Sequence, residues 1–237
     1  MTTQLPHTKL LNAAARDVLG PLGIKQRGRS RTWLDDRGWW VGVIEFQSSS
    51  WSRGSYLNVG VNWLWQAGDD AATLAFHFGG RVDPPGGGEF IDYESDEQFA
   101  PFARKLAMAA AERAQHYRAL FPTIEATAAV LKRYERQQSI LESIDTGIAL
   151  GLVGDAGAAR RMFARYIDYH ESGEDLEWRT EIDEIRYDRA RQLSELVSDG
   201  APFRERIRKD IEQARSQLRL DHAVELPLEW SRSPPTK

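Results

Sequence analysis

The chain has no cysteine in 237 residues. That excludes disulfides, thiolate metal sites and cysteine nucleophiles, and it fits a reducing compartment. It has only 3 methionines. No long apolar run is present: the longest weakly polar stretch, Gly147 to Val153, falls far short of the roughly 20 residues needed to span a bilayer. The first residues, Met-Thr-Thr-Gln-Leu-Pro, lack a basic region followed by an apolar stretch, so no signal peptide is expected and the expected location is cytoplasmic. Low-complexity repeats are missing as well. An excess of positive charge is also lacking; the net charge of −4 argues against wholesale binding to nucleic acid or to an anionic membrane. Lysine is scarce beside arginine, 6 to 25, which reads as a bacterial base-composition bias.

What is present is an ordinary globular composition, 41% hydrophobic and 28% charged, long enough for one large domain or two small ones. Six of the 8 tryptophans fall between Lys25 and Trp65, where side chains alternate with a period of two. Leu57, Val59, Val61, Trp63 and Trp65 alternate with Tyr56, Asn58, Gly60, Asn62 and Leu64, the pattern of a half-buried strand. Trp40, Ile44 and Phe46 share one parity in the segment before it. Lys25 to Leu34 is expected as one further strand, with Arg27, Arg29, Arg31 and Trp33 on one parity and Thr32 and Leu34 on the other.

The turn between the first two strands decides which faces meet. A four-residue loop, Asp35 to Gly38, would turn the arginines to the core, at several kcal/mol each if unpaired. A three-residue loop, Asp36-Arg37-Gly38, pairs Arg29 with Glu45 and Arg27 with Gln47, with Gly38 supplying the left-handed residue. A one-residue slip exchanges the faces, so the second pairing is the expected one. The core face is then Thr32, Leu34, Trp40, Ile44, Phe46, Leu57, Val59, Val61 and Trp63.

Around this sheet the expected elements are a helix over 8–19, a fourth strand over 74–78, a plain Gly/Pro-rich loop over 79–88 and a short edge strand at Phe90-Ile91. The loop lacks the Lys-Ser/Thr pair and following helix of a P-loop. A long helix follows over 96–120 with Ser95 as its N-cap, and Pro122 breaks it. Beyond it the period is helical: 123–136, a hairpin from 139 turning at 151–155 and returning over 156–169, then 174–197 and 202–219. The hairpin has Gly154, Ala159 and Phe163 at tetratricopeptide-like offsets, but no second copy exists and such arrays need about three. The predicted class is therefore α+β: an antiparallel sheet of three to five strands packed on an N-terminal helix and a long helix, then an all-helical extension. The predicted domains are 1–121, 122–220 and an extended tail from 221 to 237.

Four stretches carry a family resemblance: Gly23-Ile24-Lys25; Arg27-Gly28 with Thr32-Trp33; Val43-Ile44 with Phe46-Gln47-Ser48; and Gly54-Ser55-Tyr56-Leu57-Asn58-Val59-Gly60. By these, roughly residues 8–110 resemble the bacterial domain-of-unknown-function 4304 family. The resemblance implies an α+β domain and supplies no activity.

No catalytic constellation stands out. The five histidines are scattered, and no nucleophile elbow or Ser-His-Asp order occurs. His170, Glu174, Glu177, Glu181 and Glu184 fall at helical spacings, but Gly173 interrupts them and no His-x-x-x-His or Glu-x-x-His pair supports a metal site. No cofactor is expected. The best candidate surface is the outward sheet face: Arg27, Arg29, Arg31, Glu45, Gln47, Tyr56, Asn58 and Asn62. Guanidinium forks suit carboxylate or phosphate; the bland alternative is a solvated face whose charges pair with one another. The expected function is a non-catalytic protein-binding or adaptor module, its partner another protein or a second copy docked through helices. The alternative is an enzyme or sensor that recognises a small anion through Arg29, Arg31, Glu45 and Asn58.

Overall fold

The computed structural model describes residues 5–49, 53–66, 74–83, 90–134, 139–173 and 180–220. The chain divides into two units: Met1–Trp63 with Thr73–Ala119, and Leu64–Ala72 with Leu120–Lys237. The fold is α+β, with a helical C-terminal part.

In the first unit, helix α1 (Pro6–Leu19) leads into an antiparallel sheet ordered β1-β2-β3-β4-β5: Lys25–Gln26, Thr32–Asp36, Trp40–Ser48, Gly54–Trp63 and Phe78–Val82. A short β6 (Ile91–Asp92) pairs with the start of β4, and α2 (Asp96–Leu120) closes the unit. Ser95 caps α2 as expected, accepting from the Gln98 N–H at 3.2 Å.

Two expectations for the sheet are corrected. Lys25 to Leu34 is not one strand but a tight hairpin. The Arg27 and Ser30 amides donate to Thr32 O and Arg27 O, Ser30 Oγ donates to Arg27 O, and Gly28 takes φ 58. Arg-Gly-Arg-Ser is turn chemistry, in which Gly supplies the left-handed residue and Ser bonds its own backbone. The next turn is also shorter than expected. Arg37 N–H donates to Trp40 O at 3.0 Å, leaving Gly38 and Trp39 as a two-residue tip, with Gly38 at φ 90.

The shorter tip sets the β2–β3 register as Trp33 opposite Ile44 and Thr32 opposite Glu45. Trp33 therefore replaces Thr32 and Leu34 on the face of Ile44, Phe46, Leu57, Val59 and Val61, all of which are buried. Helix α2 covers this face. Tyr117 donates to Val59 O at 3.3 Å and meets the Phe78 ring edge-on. Arg118 grips the buried Asp35 with two 2.8 Å bonds and donates a third to Leu22 O. The other face is no fully solvated surface: Leu34, Val41 and Val43 are buried on it.

The expected strand at 74–78 lies later, and part of the expected glycine loop is strand. Gly79, opposite Gly60, takes φ 92, and a Cβ there would stand 2.3 Å from the Tyr117 hydroxyl and 2.7 Å from Val59 O. Glycine at this point is what lets α2 and β4 close together. His77 is half-buried, and its Nδ1 accepts from Trp63 N–H at 2.9 Å.

The second unit is built on α4 (Glu142–Leu152), buried along its whole middle from Ser143 to Gly151. It packs with α3 (Ile124–Tyr134), α5 (Ala156–Ser172) and α7 (Gly200–Leu218); α6 (Glu181–Leu196) packs with α5 and α7. The α7 stripe Phe203, Ile207, Ile211, Ala214 and Leu218 is buried as its spacing predicts. Of the helically spaced apolar residues of α6, Leu193 is buried, whereas Ile182 and Ile185 are 40% and 45% exposed. Trp51, Trp178, the loop over 84–88 and the tail from Asp221 lie outside the described residues. Among the described residues no helix is long and apolar enough to cross a membrane.

Candidate functional site

Four of the eight expected site residues come together. Glu45, Asn58 and Arg81 stand in one cross-strand row over β3, β4 and β5, and the adjacent row holds Gln47 and Tyr56. All five project from the face opposite α2, because they alternate with Phe46, Leu57 and Val82.

Asn58 is the hub. Its Nδ2 donates to Glu45 Oε2 at 2.9 Å and to Gln47 Oε1 at 3.0 Å, while its Oδ1 accepts from Arg81 Nε at 2.8 Å. Arg81 Nη2 reaches Gln47 Oε1 at 2.9 Å, and its guanidinium lies 3.9 Å over the Tyr56 ring. Tyr56 leans on Phe90 with ring centroids 4.7 Å apart. Asn58 is buried, Glu45 and Tyr56 half-buried, Gln47 and Arg81 exposed. The result is a flat platform whose polar groups already satisfy one another, with an aromatic pair along one side. The sequence places Arg81 in the glycine-rich loop, whereas it lies on β5. Its signal was the parity it shares with Gly79 once β5 is aligned on β4.

The remaining four expected residues separate. Arg27 and Arg29 are exposed on the β1–β2 turn. Arg31 falls on the helix-covered side, since its carbonyl accepts from Phe46 N–H in the pairing that continues the β2–β3 ladder. Burial lowers its pKa to about 10, with Glu45 acting the other way. Asn62 is buried and accepts from Ala75 N–H at 3.0 Å, which ties the segment entering β5 to β4.

A second polar cluster, in the helical unit, went unread. Asp145 on α4 accepts from the Trp65 indole at 2.9 Å and from Gln66 Nε2 at 2.8 Å. Arg189 on α6 donates to Trp65 O and to Asp210 Oδ2, the latter at 2.9 Å, and Arg206 adds a bond to Asp210 at 3.1 Å. Asp145, Arg189 and Asp210 are all buried, and burial pushes the Arg189 pKa down. This network anchors Trp65, 0% exposed, to three helices, and its arrangement is structural.

His170 stacks on Tyr187 at 4.2 Å and lies 3.4 Å from Glu184. No group of three or more metal-ligating side chains forms there or elsewhere among the described residues. Compared with protein-family models, curated proteins and solved structures, the chain matches none.

Proposed function

We propose that the protein is a cytoplasmic, non-catalytic protein-binding module whose partner surface is the Glu45–Gln47–Tyr56–Asn58–Arg81 platform. The observation that carries this reading is that the platform is already paired. Arg81 spends its guanidinium on Asn58, Gln47 and the Tyr56 ring. A small anion on this face would have to break those bonds before gaining its own. A protein partner has only to cover them, and Tyr and Arg held rigid in advance are the side chains that dominate such contacts. The small-anion alternative loses support on this face because Arg29 stands on the β1–β2 turn and Arg31 belongs to the opposite face. The lack of cysteine supports the reducing location.

The test is affinity capture from the native host with wild type and with Tyr56→Ala/Arg81→Ala, followed by titration of the purified partner. The expected result is a stoichiometric partner that binds wild type and is weakened about tenfold or more by the variant, with both proteins melting at similar temperatures. Equal binding by the two folded proteins would remove the platform from the interface.

A further inference from the structure

The other side of the sheet carries a half-buried cation, Arg31, that makes no ion pair among the described residues, although Glu45 lies near enough to favour its charge. Arg31 donates through Nη2 to Gly54 O at 3.2 Å, but its Nε is buried with no acceptor. Close to it, the His7 side chain is 4% exposed and its Nδ1 is likewise buried without a partner. The His7 ring packs between Phe99, edge-on at 6.3 Å, and Tyr93 at 5.8 Å. Tyr93, whose ring meets His7, donates its N–H to Arg53 O at 2.7 Å, and Arg31 reaches the next carbonyl, Gly54 O, so three basic groups share one neighbourhood; the His7 pKa is lowered, first by burial, then by Arg31 and Arg53.

Helix α1 points its positive end into the same place. No side chain caps its N-terminus, and its first turn contains no acidic residue. Asp96, at the start of α2, is taken up by the Tyr93 hydroxyl at 2.6 Å. The adjoining stretches Met1–Gln4 and Ser50–Ser52 contain no acidic residue. Buried cations are ordinarily paired, because an unpaired one loses its hydration with nothing in return. A half-buried guanidinium with an orphaned Nε, the orphaned His7 nitrogen and a helix N-terminus therefore call for a negative group that no described residue supplies by hydrogen bond or ion pair. Arg31 is half-buried and Arg53 exposed, which leaves a way in from solvent.

We infer that His7, Arg31 and the N-terminus of α1 form a binding site for a small oxyanion, with Arg53 at its mouth. Arg31 supplies the fixed charge. His7, neutral in the free protein, donates from Nδ1 in the tautomer that places its proton there. The oxyanion is a phosphate-like or carboxylate group, free or carried on a larger ligand. This site lies on the sheet face opposite the platform, whose Glu45 acts on the Arg31 charge.

The full chain would be titrated with sodium sulfate, inorganic phosphate and acetate at constant ionic strength, chloride making up the balance. Calorimetry and thermal melts would report binding, and the His7 ring nitrogen signals, assigned with His7→Gln, would report location. The expected result is saturable binding of one anion per chain that raises the melting temperature and moves the His7 signals. Arg31→Gln should weaken binding about tenfold or more, and Arg53→Gln by less. Preference for sulfate and phosphate over acetate identifies a tetrahedral anion; the reverse identifies a carboxylate. Non-saturating stabilisation, equal in wild type and Arg31→Gln with the His7 signals unmoved, would overturn the site as a general salt effect. If Arg31→Gln does not fold, the His7 signals together with Arg53→Gln decide alone.

Discussion

Arg189 and Asp210 show how much a single residue can matter when its partner is buried with it. Both are under one-tenth exposed, and their 2.9 Å contact is backed by Arg206 and the Trp65 carbonyl. Removing only the carboxylate leaves a guanidinium in a desolvated site. Asp210→Ala is expected to lower unfolding stability by about 3–5 kcal/mol, measured by urea denaturation. The double change Arg189→Met/Asp210→Leu should cost clearly less than the single one, since no charge is then stranded. Equal losses would mean that the pair stabilises by attraction rather than by mutual compensation. None of this was legible beforehand. Asp145, Arg189 and Asp210 sit in stretches whose charges, read along one helix, look like solvated faces, and burial of a charge depends on which helices meet.

At the level of elements, the caps and stripes were the legible part, because they are written in local spacing. Ser95 caps α2 and the α7 stripe is buried, as their positions require. Helix α5 carries a cap of the same kind: Asp155 accepts from Ala158 N–H at 3.1 Å and pairs with Lys132 at 3.4 Å. The backbone bond to Ala158, foremost, holds its pKa below the ordinary carboxylate value. A lowered folded-state pKa means that the stabilisation is present above the unfolded value and is lost as pH falls through the folded one. Asp155→Ala should therefore cost about 1 kcal/mol at neutral pH. The gap between variant and wild type should close as the pH drops below about 4. Stability curves for the two proteins between about pH 2 and 7 check this; a gap that does not narrow on acidification would contradict it.

Strand register was the illegible part. Arg27 to Arg31 alternates as well as any strand, yet Gly28 and Ser30 fold it into a turn, and the two-residue tip at Gly38 and Trp39 moves Trp33 rather than Thr32 to the core. Parity alone cannot separate these arrangements, because a tip one residue shorter exchanges the faces. That shift explains why Glu45, Gln47, Tyr56 and Asn58 stayed together, each set by the long β3–β4 pairing, while the arginines did not.

For the whole molecule, the division into units does not follow the order of the chain. Leu64 to Gln66 continue directly from β4 but belong to the helical unit, and the chain then returns to the first unit for β5 and α2. A fragment of residues 1–120 would keep β1 to β6, but it would leave Leu64 and Trp65, 1% and 0% exposed in the full chain, without Asp145 or Arg189. It is expected to bind a hydrophobic dye strongly and to aggregate at concentrations where the full chain does not. Light scattering and dye fluorescence on both proteins provide the check, and a soluble, dye-silent fragment would show that the two units fold independently.

The Trp65 anchor also imposes an order in time. Arg189, which holds the Trp65 carbonyl, lies 124 residues further along the chain. At about 5–20 residues per second, a ribosome takes roughly 6–25 seconds to cover that distance. During that interval the sheet can complete its pairing, and the indole that follows it meets Asp145, 80 residues along, before its carbonyl meets Arg189. The nascent chain therefore carries Trp65 without its buried partners after the sheet is made, and the anchor closes only once α4 and α6 have been synthesised.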